Sequence, residues 1–172
     1  MRLLLKRDEI VVLLHSPIEL SKSNIWREAE RMGVESSRII FAKPIGVRDH
    51  MSRQSCADLA LDTFNFSSAT MTCIGLKTGL PILTLPGKTY SSRLTASILN
   101  GLGLQELICS NINEYEEKAL KLSSNKNYIL RLRNKIIDLK TSSPYFNSQR
   151  YCLDLEDKFR ELILKETLAQ SL

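Results

Sequence analysis

Residues 79–108 read GLPILTLPGKTYSSRLTASILNGLGLQELI, and this stretch restricts the fold of the chain more tightly than any other. Pro81-Ile82-Leu83-Thr84-Leu85 is a short apolar run bounded by Gly79 and by Pro86-Gly87, which is how a strand buried on both faces reads. Pro86-Gly87 turns the chain. Ser91 and Ser92 supply hydroxyls suited to capping a helix that carries Leu94, Ile98 and Leu99 on one side. Gly101 and Gly103 stop that helix, and Leu107-Ile108 opens another strand. A strand–loop–helix–strand unit places its polar loop at the carboxyl end of a parallel sheet, where α/β folds bind ligands.

The same alternation runs through the rest of the chain. Strands are expected near 10–14, 38–42, 58–61, 82–85 and 106–109. Helices are expected from Ser21 or Ser23 to Gly33, over Met51 to Cys56, over Thr70 to Lys77 and from Ser91 to Asn100. Beyond Asn113 the pattern is helical at 113–122, 126–140 and 148–168, with a break at Thr141 to Pro144. Strands separated by helical segments imply right-handed βαβ units, hence an α/β fold with a parallel sheet covered by helices on both faces. Residues 1–112 form the sheet-bearing unit and residues 113–172 the helices that pack on it. Met1 to Leu5 reads as the interior of a helix with no cap before it, so the sheet is expected to lack its opening strand. An edge left unpaired in that way is expected to make the isolated chain associate.

At 172 residues the chain suits one domain, or one lobe of a larger protein. The densest basic stretch, Lys126, Arg131, Arg133, Lys135 and Lys140, falls at helical spacing and reads as a solvated helix face. Too few aromatics interleave with these charges to build a stacking platform, so neither nucleic acid nor a membrane is an expected partner. Cys56, Cys73, Cys109 and Cys152 are scattered, with no His at ligand spacing, which fits a reducing, cytoplasmic setting and no metal. The start MRLLLKRDEIVVLLH is broken by Lys6, Arg7, Asp8 and Glu9 and is neither a secretory leader nor a membrane span. No Ser/His/Asp triad, P-loop or HExxH motif is present, and no residue is assigned a catalytic role. Asp58 and Asp62 flank a short strand and read as turn or cap residues, and His15 as a packed or loop histidine.

The segment LPGKTYSSRLTASILNGLGLQELI resembles the corresponding one of the O-linked N-acetylglucosamine transferase family, which includes the Spindly-type transferases. Upstream, Arg38-Ile39-Ile40-Phe41, Asp49-His50 and Ala57 to Thr63 fall in that family's order. Downstream, Ser142 to Asn147 (SSPYFN) resembles the segment before its last helix. The resemblance runs from Met1 to about Leu164. It implies a Rossmann-like nucleotide-sugar-binding lobe of a two-lobed glycosyltransferase with a helical C-terminal tail. That enzyme moves a sugar resembling N-acetylglucosamine from a nucleoside diphosphate sugar to Ser or Thr of an acceptor protein. The donor is expected to be a UDP-sugar or a GDP-sugar, with no cofactor and no essential metal. The other catalytic lobe and the helical repeats of that family have no counterpart here.

By the same resemblance, the Lys43 to His50 loop contacts base and ribose, with His50 donating to a ribose hydroxyl and Arg53 at the base. Thr70 matches a threonine of the diphosphate loop, which suits a run of small hydroxyl residues entering a helix. Ile45, Lys88 and Arg93 form a second rank of candidates near the donor or the cleft between lobes. The chain also departs from the family. Val47 replaces a lysine often set against the base, Ala69 a histidine, Met71 a second threonine, and Ile74 the acid that accepts from the ribose. Two readings stay open: a working donor lobe, and a non-catalytic interaction module whose donor site has degenerated.

Overall fold

The computed structural model describes residues 1–170, with side chains described through residue 166. The chain order is α1 (Arg2–Lys6), β1 (Val12–Leu14), α2 (Glu19–Arg31), β2 (Ile39–Phe41), α3 (Val47–Ser55), β3 (Ala60–Leu61) and α4 (Ala69–Lys77). There follow β4 (Ile82–Leu83), α5 (Leu94–Gly101), α6 (Ile112–Ser123), α7 (Lys126–Ser142) and α8 (Ser148–Gln170). The protein is α/β, as the alternation predicts. β1 pairs with β2 in parallel, Leu13 opposite Ile40, and β3 pairs with β4 in parallel, Ala60 opposite Ile82.

The strands are shorter than the apolar runs suggest. The fifth expected strand is a single parallel bridge, Thr84 to Ile108, after a 3₁₀ turn at Gln105–Leu107. The β1–β2 pair also differs from a doubly buried strand pair. Val11, Leu13 and Ile40 are exposed while Ile39 is buried, because among the described residues nothing covers that second face. β4 is buried on both faces, as its sequence predicts. α2 begins two residues before Ser21 and carries no side-chain cap, and α7 continues through Thr141 and Ser142.

One apolar cluster joins β4 to α4, α5, α6 and α7 through Leu76, Leu83, Leu99, Leu107, Leu122 and Ile136. A second, smaller one gathers Leu4, Ala29, Val34 and Ile39. Two residues past Lys77, α4 is closed off by Gly79, whose φ of 78° only glycine adopts freely; Leu80 N–H donates to Gly75 O and Gly79 N–H to Leu76 O. That closure turns the chain straight into β4, fixing α4 against the sheet. α8 is exposed over its whole described length and touches mainly the 3₁₀ turn Pro144–Phe146.

Candidate functional site

The loops after β3 and β4 are bound into one unit by buried polar groups. Asp62, at the end of β3, is 5% exposed. Its Oδ1 accepts from Ser68 N–H (2.8 Å) and Ser68 Oγ (2.8 Å), and its Oδ2 from Ser67 Oγ (2.9 Å) and Thr84 Oγ1 (2.7 Å). Burial opposes ionisation of this carboxyl, but the Ser68 N–H and the Thr84, Ser68 and Ser67 hydroxyls outweigh it and hold the group below its ordinary value. Ser67 also bridges the two loops, since its N–H donates to Ser91 O (2.9 Å). The Thr95 N–H donates to Ser67 Oγ (2.8 Å), and Thr95 Oγ1 lies 2.9 Å from Thr72 Oγ1. The start of α5 is thus capped by Ser67 from the neighbouring loop. Ser91 and Ser92, expected to cap it, do not; Ser92 Oγ donates instead to Thr89 O (2.9 Å).

This arrangement presents the first turn of α4 to solvent. Thr72 N–H makes the first helical bond to Ser68 O, and Ala69 N–H bonds to Ser67 O. Among the described residues the N–H groups of Thr70 and Met71 have no backbone partner, and both side chains are exposed. Two open N–H groups at the positive end of a helix, beside a hydroxyl, suit an anion. Lys88 and Arg93 are exposed on the loop after β4, with no ion-pair partner among the described residues.

His50 and Arg53 lie together on α3. Arg53 donates to Lys43 O (2.8 Å) and, from its other terminal nitrogen, to His50 Nδ1 (2.8 Å). His50 therefore carries its proton on Nε2, which faces the Gln54 amide at 3.1 Å. As oriented, Gln54 turns its nitrogen to the ring and leaves Oε1 buried without a partner; turning the amide over gives the ring proton an acceptor. Burial, then Arg53 and His15, keeps His50 below its usual pKa, so the ring is neutral near pH 7. α3 packs on α4, but no hydrogen bond links His50 or Arg53 to Thr70, and Ile45 is exposed on the loop before α3. Sequence reasoning missed Asp62 as an organiser. The serines five and six residues after it were the available signal, since together they supply three donors to one carboxylate.

Among the described residues no cluster of His, Cys, Asp and Glu is arranged to hold a metal ion, and no helix is long and apolar enough to cross a membrane. The sequence profile of glycosyl transferase family 41 matches residues 3–155. A probable UDP-N-acetylglucosamine–peptide N-acetylglucosaminyltransferase SPINDLY of Arabidopsis thaliana is 31% identical over 134 residues, which cover 77% of this chain and 15% of that protein. A UDP-N-acetylglucosamine–peptide N-acetylglucosaminyltransferase of Caenorhabditis elegans is 32% identical over 148 residues, 86% of this chain and 13% of that one. A mutant O-GlcNAc transferase of Thermobaculum terrenum superposes with a TM-score of 0.83 at 28% identity, over 93% of this chain and 31% of that one. The chain therefore spans only a small part of the length of these relatives.

Proposed function

The chain belongs to glycosyl transferase family 41, and from that premise we propose that it forms the nucleotide-sugar-binding lobe of a protein O-glycosyltransferase. In this reading a UDP-sugar or GDP-sugar is the donor, a Ser or Thr of a protein is the acceptor, and no metal is essential. The observation that carries it is the open first turn of α4, with unpaired Thr70 and Met71 N–H groups beside the Thr70 hydroxyl. These donors hold the diphosphate and stabilise the charge it gains as a leaving group, a task that preorganised dipoles perform without a cation. Lys88 and Arg93 add positive charge from the neighbouring loop. Arg53 and His50 reach base and ribose after giving up their mutual hydrogen bond. The acceptor hydroxyl is the attacking group, and the residue that deprotonates it belongs to the rest of the enzyme.

The experiment is UDP and GDP titration calorimetry on this chain. Thr70→Val is expected to weaken binding by about 0.5–1.5 kcal/mol, the net worth of one hydrogen bond. Ile74→Asp is expected to strengthen it by about the same amount, by giving the ribose hydroxyls an acceptor. No affinity for either nucleotide, in a folded chain, overturns the reading. It would favour an interaction module, which the apolar Met71, 38% exposed beside Thr70, supports.

A further inference from the structure

Two loops and three helices meet around Asp62. Its two oxygens accept four hydrogen bonds, and one of those donors, the Ser67 hydroxyl, begins a chain that continues through Thr95 Oγ1 (2.7 Å) to Thr72 Oγ1 (2.9 Å). Ser67, Thr72, Thr84 and Thr95 are each 1% exposed or less. Each hydroxyl has a single proton, and Ser67 Oγ already accepts from the Thr95 N–H. With an ionised Asp62 one pattern satisfies every member: Thr72 donates to Thr95, Thr95 to Ser67, and Ser67 and Thr84 to the carboxylate. The backbone of Asp62 is held as well, its carbonyl accepting from the Tyr115 hydroxyl at 3.2 Å and its N–H donating to Leu83 O at 3.0 Å. Thr63 Oγ1 closes the same loop on Phe66 O.

We propose that Asp62 is the positioning residue of this site: its buried carboxylate, acting through Ser68 and the Ser67–Thr95–Thr72 hydroxyl chain, sets loop 63–68 and locks the first turn of α4 to the start of α5. The cradle for a nucleoside diphosphate is then built before the ligand arrives, which spares binding the cost of ordering a loop. The link to a nucleotide rests on the function proposed above. An Asn at this position fits the space, but its amide must donate to Ser67 and Thr84, which reverses the whole chain and removes the charge from four bonds.

The test is hydrogen exchange by NMR on the full chain, with calorimetry of UDP and GDP on the same samples. Asp62→Asn is expected to speed exchange of the Ser68 amide, and through Ser67 that of the Thr95 amide, by about tenfold, the factor corresponding to a hydrogen bond whose acceptor loses its charge. The Ile129 and Leu132 amides in α7 should change far less. UDP or GDP affinity should fall with the loss of protection. Thr84→Val keeps the side-chain shape, removes one of the four donors and gives the same local pattern at about tenfold, so the test survives if Asp62→Asn fails to fold. Unchanged Ser68 and Thr95 exchange in a folded variant overturns the proposal. So does acceleration spread equally into α7, which would make Asp62 a general stabiliser. If the parent chain binds neither UDP nor GDP while the local exchange responds, the positioning role stands and the nucleotide reading falls.

Discussion

Gly87 is the tightest point of the loop that follows β4. A Cβ added there lies 2.5 Å from Ser92 Oγ and 2.9 Å from Ser92 Cβ. Ser92 has little room to yield. It is 4% exposed, its hydroxyl donates to Thr89 O and accepts from Thr89 Oγ1 at 2.9 Å each, and its carbonyl accepts the Gly87 N–H at 3.2 Å. Gly87→Ala thus forces Ser92 outward. Overpacking of this kind costs about 1–3 kcal/mol, and one or two lost hydrogen bonds add about 0.5–1.5 kcal/mol each. A total of about 1.5–6 kcal/mol corresponds, for a chain of this size, to a fall in melting temperature of about 3–24 °C. Gly101→Ala is the control, because nothing lies within 4 Å of its Cβ position. At the end of α5 it should gain up to about 1 kcal/mol from helix propensity. Thermal unfolding followed by circular dichroism decides the matter. A Gly87→Ala chain that melts within about 1 °C of the parent would refute the argument that Ser92 is fixed.

The Asp62 carboxyl is held below its ordinary value, so its contribution is complete above the unfolded-state pKa of about 3.9 and is lost as pH falls through the lower folded value. Urea midpoints should therefore drop further in the parent than in Asp62→Asn between about pH 5 and the acid limit of the fold; parallel declines would contradict this. Ile136, 1% exposed, fills the junction of α7 with the larger core, and Ile136→Ala should cost about 2–5 kcal/mol in chemical denaturation. A chain ending at Asn147 should lose helical circular dichroism in proportion to α8, yet keep its melting temperature within about 2 °C, since the described residues of α8, through 166, are all exposed. A large loss of stability on that truncation would mean that α8 packs on the body.

Much of the fold is legible in local pattern. The apolar run at 82–85, the glycine at position 79 and the helical periods from 113 onward depend on turn chemistry and side-chain spacing, which act over a few residues. They fixed the order of strands and helices, the α/β class and the motifs that carry the family resemblance. Thr70 at the start of α4 was legible for the same reason, because hydroxyl-rich residues entering a helix mark its open N–H groups.

The connections between loops were decided by the tertiary structure. Ser67 caps a helix that begins 27 residues later, and no local rule distinguishes it from Ser91 or Ser92, which stand nearer in sequence. Asp62 reads as a turn residue until Thr84 and Ser67 close on it in a buried pocket. His50 and Arg53 read as two ligand contacts, yet one turn of α3 sets them 2.8 Å apart and each occupies the other. The exposed face of β1–β2 follows the same logic: hydrophobicity fixes which residues form the strand, but only the elements packed around it fix which face is covered. A hydrogen bond forms where two surfaces meet, and where they meet is set by the packing of the whole chain.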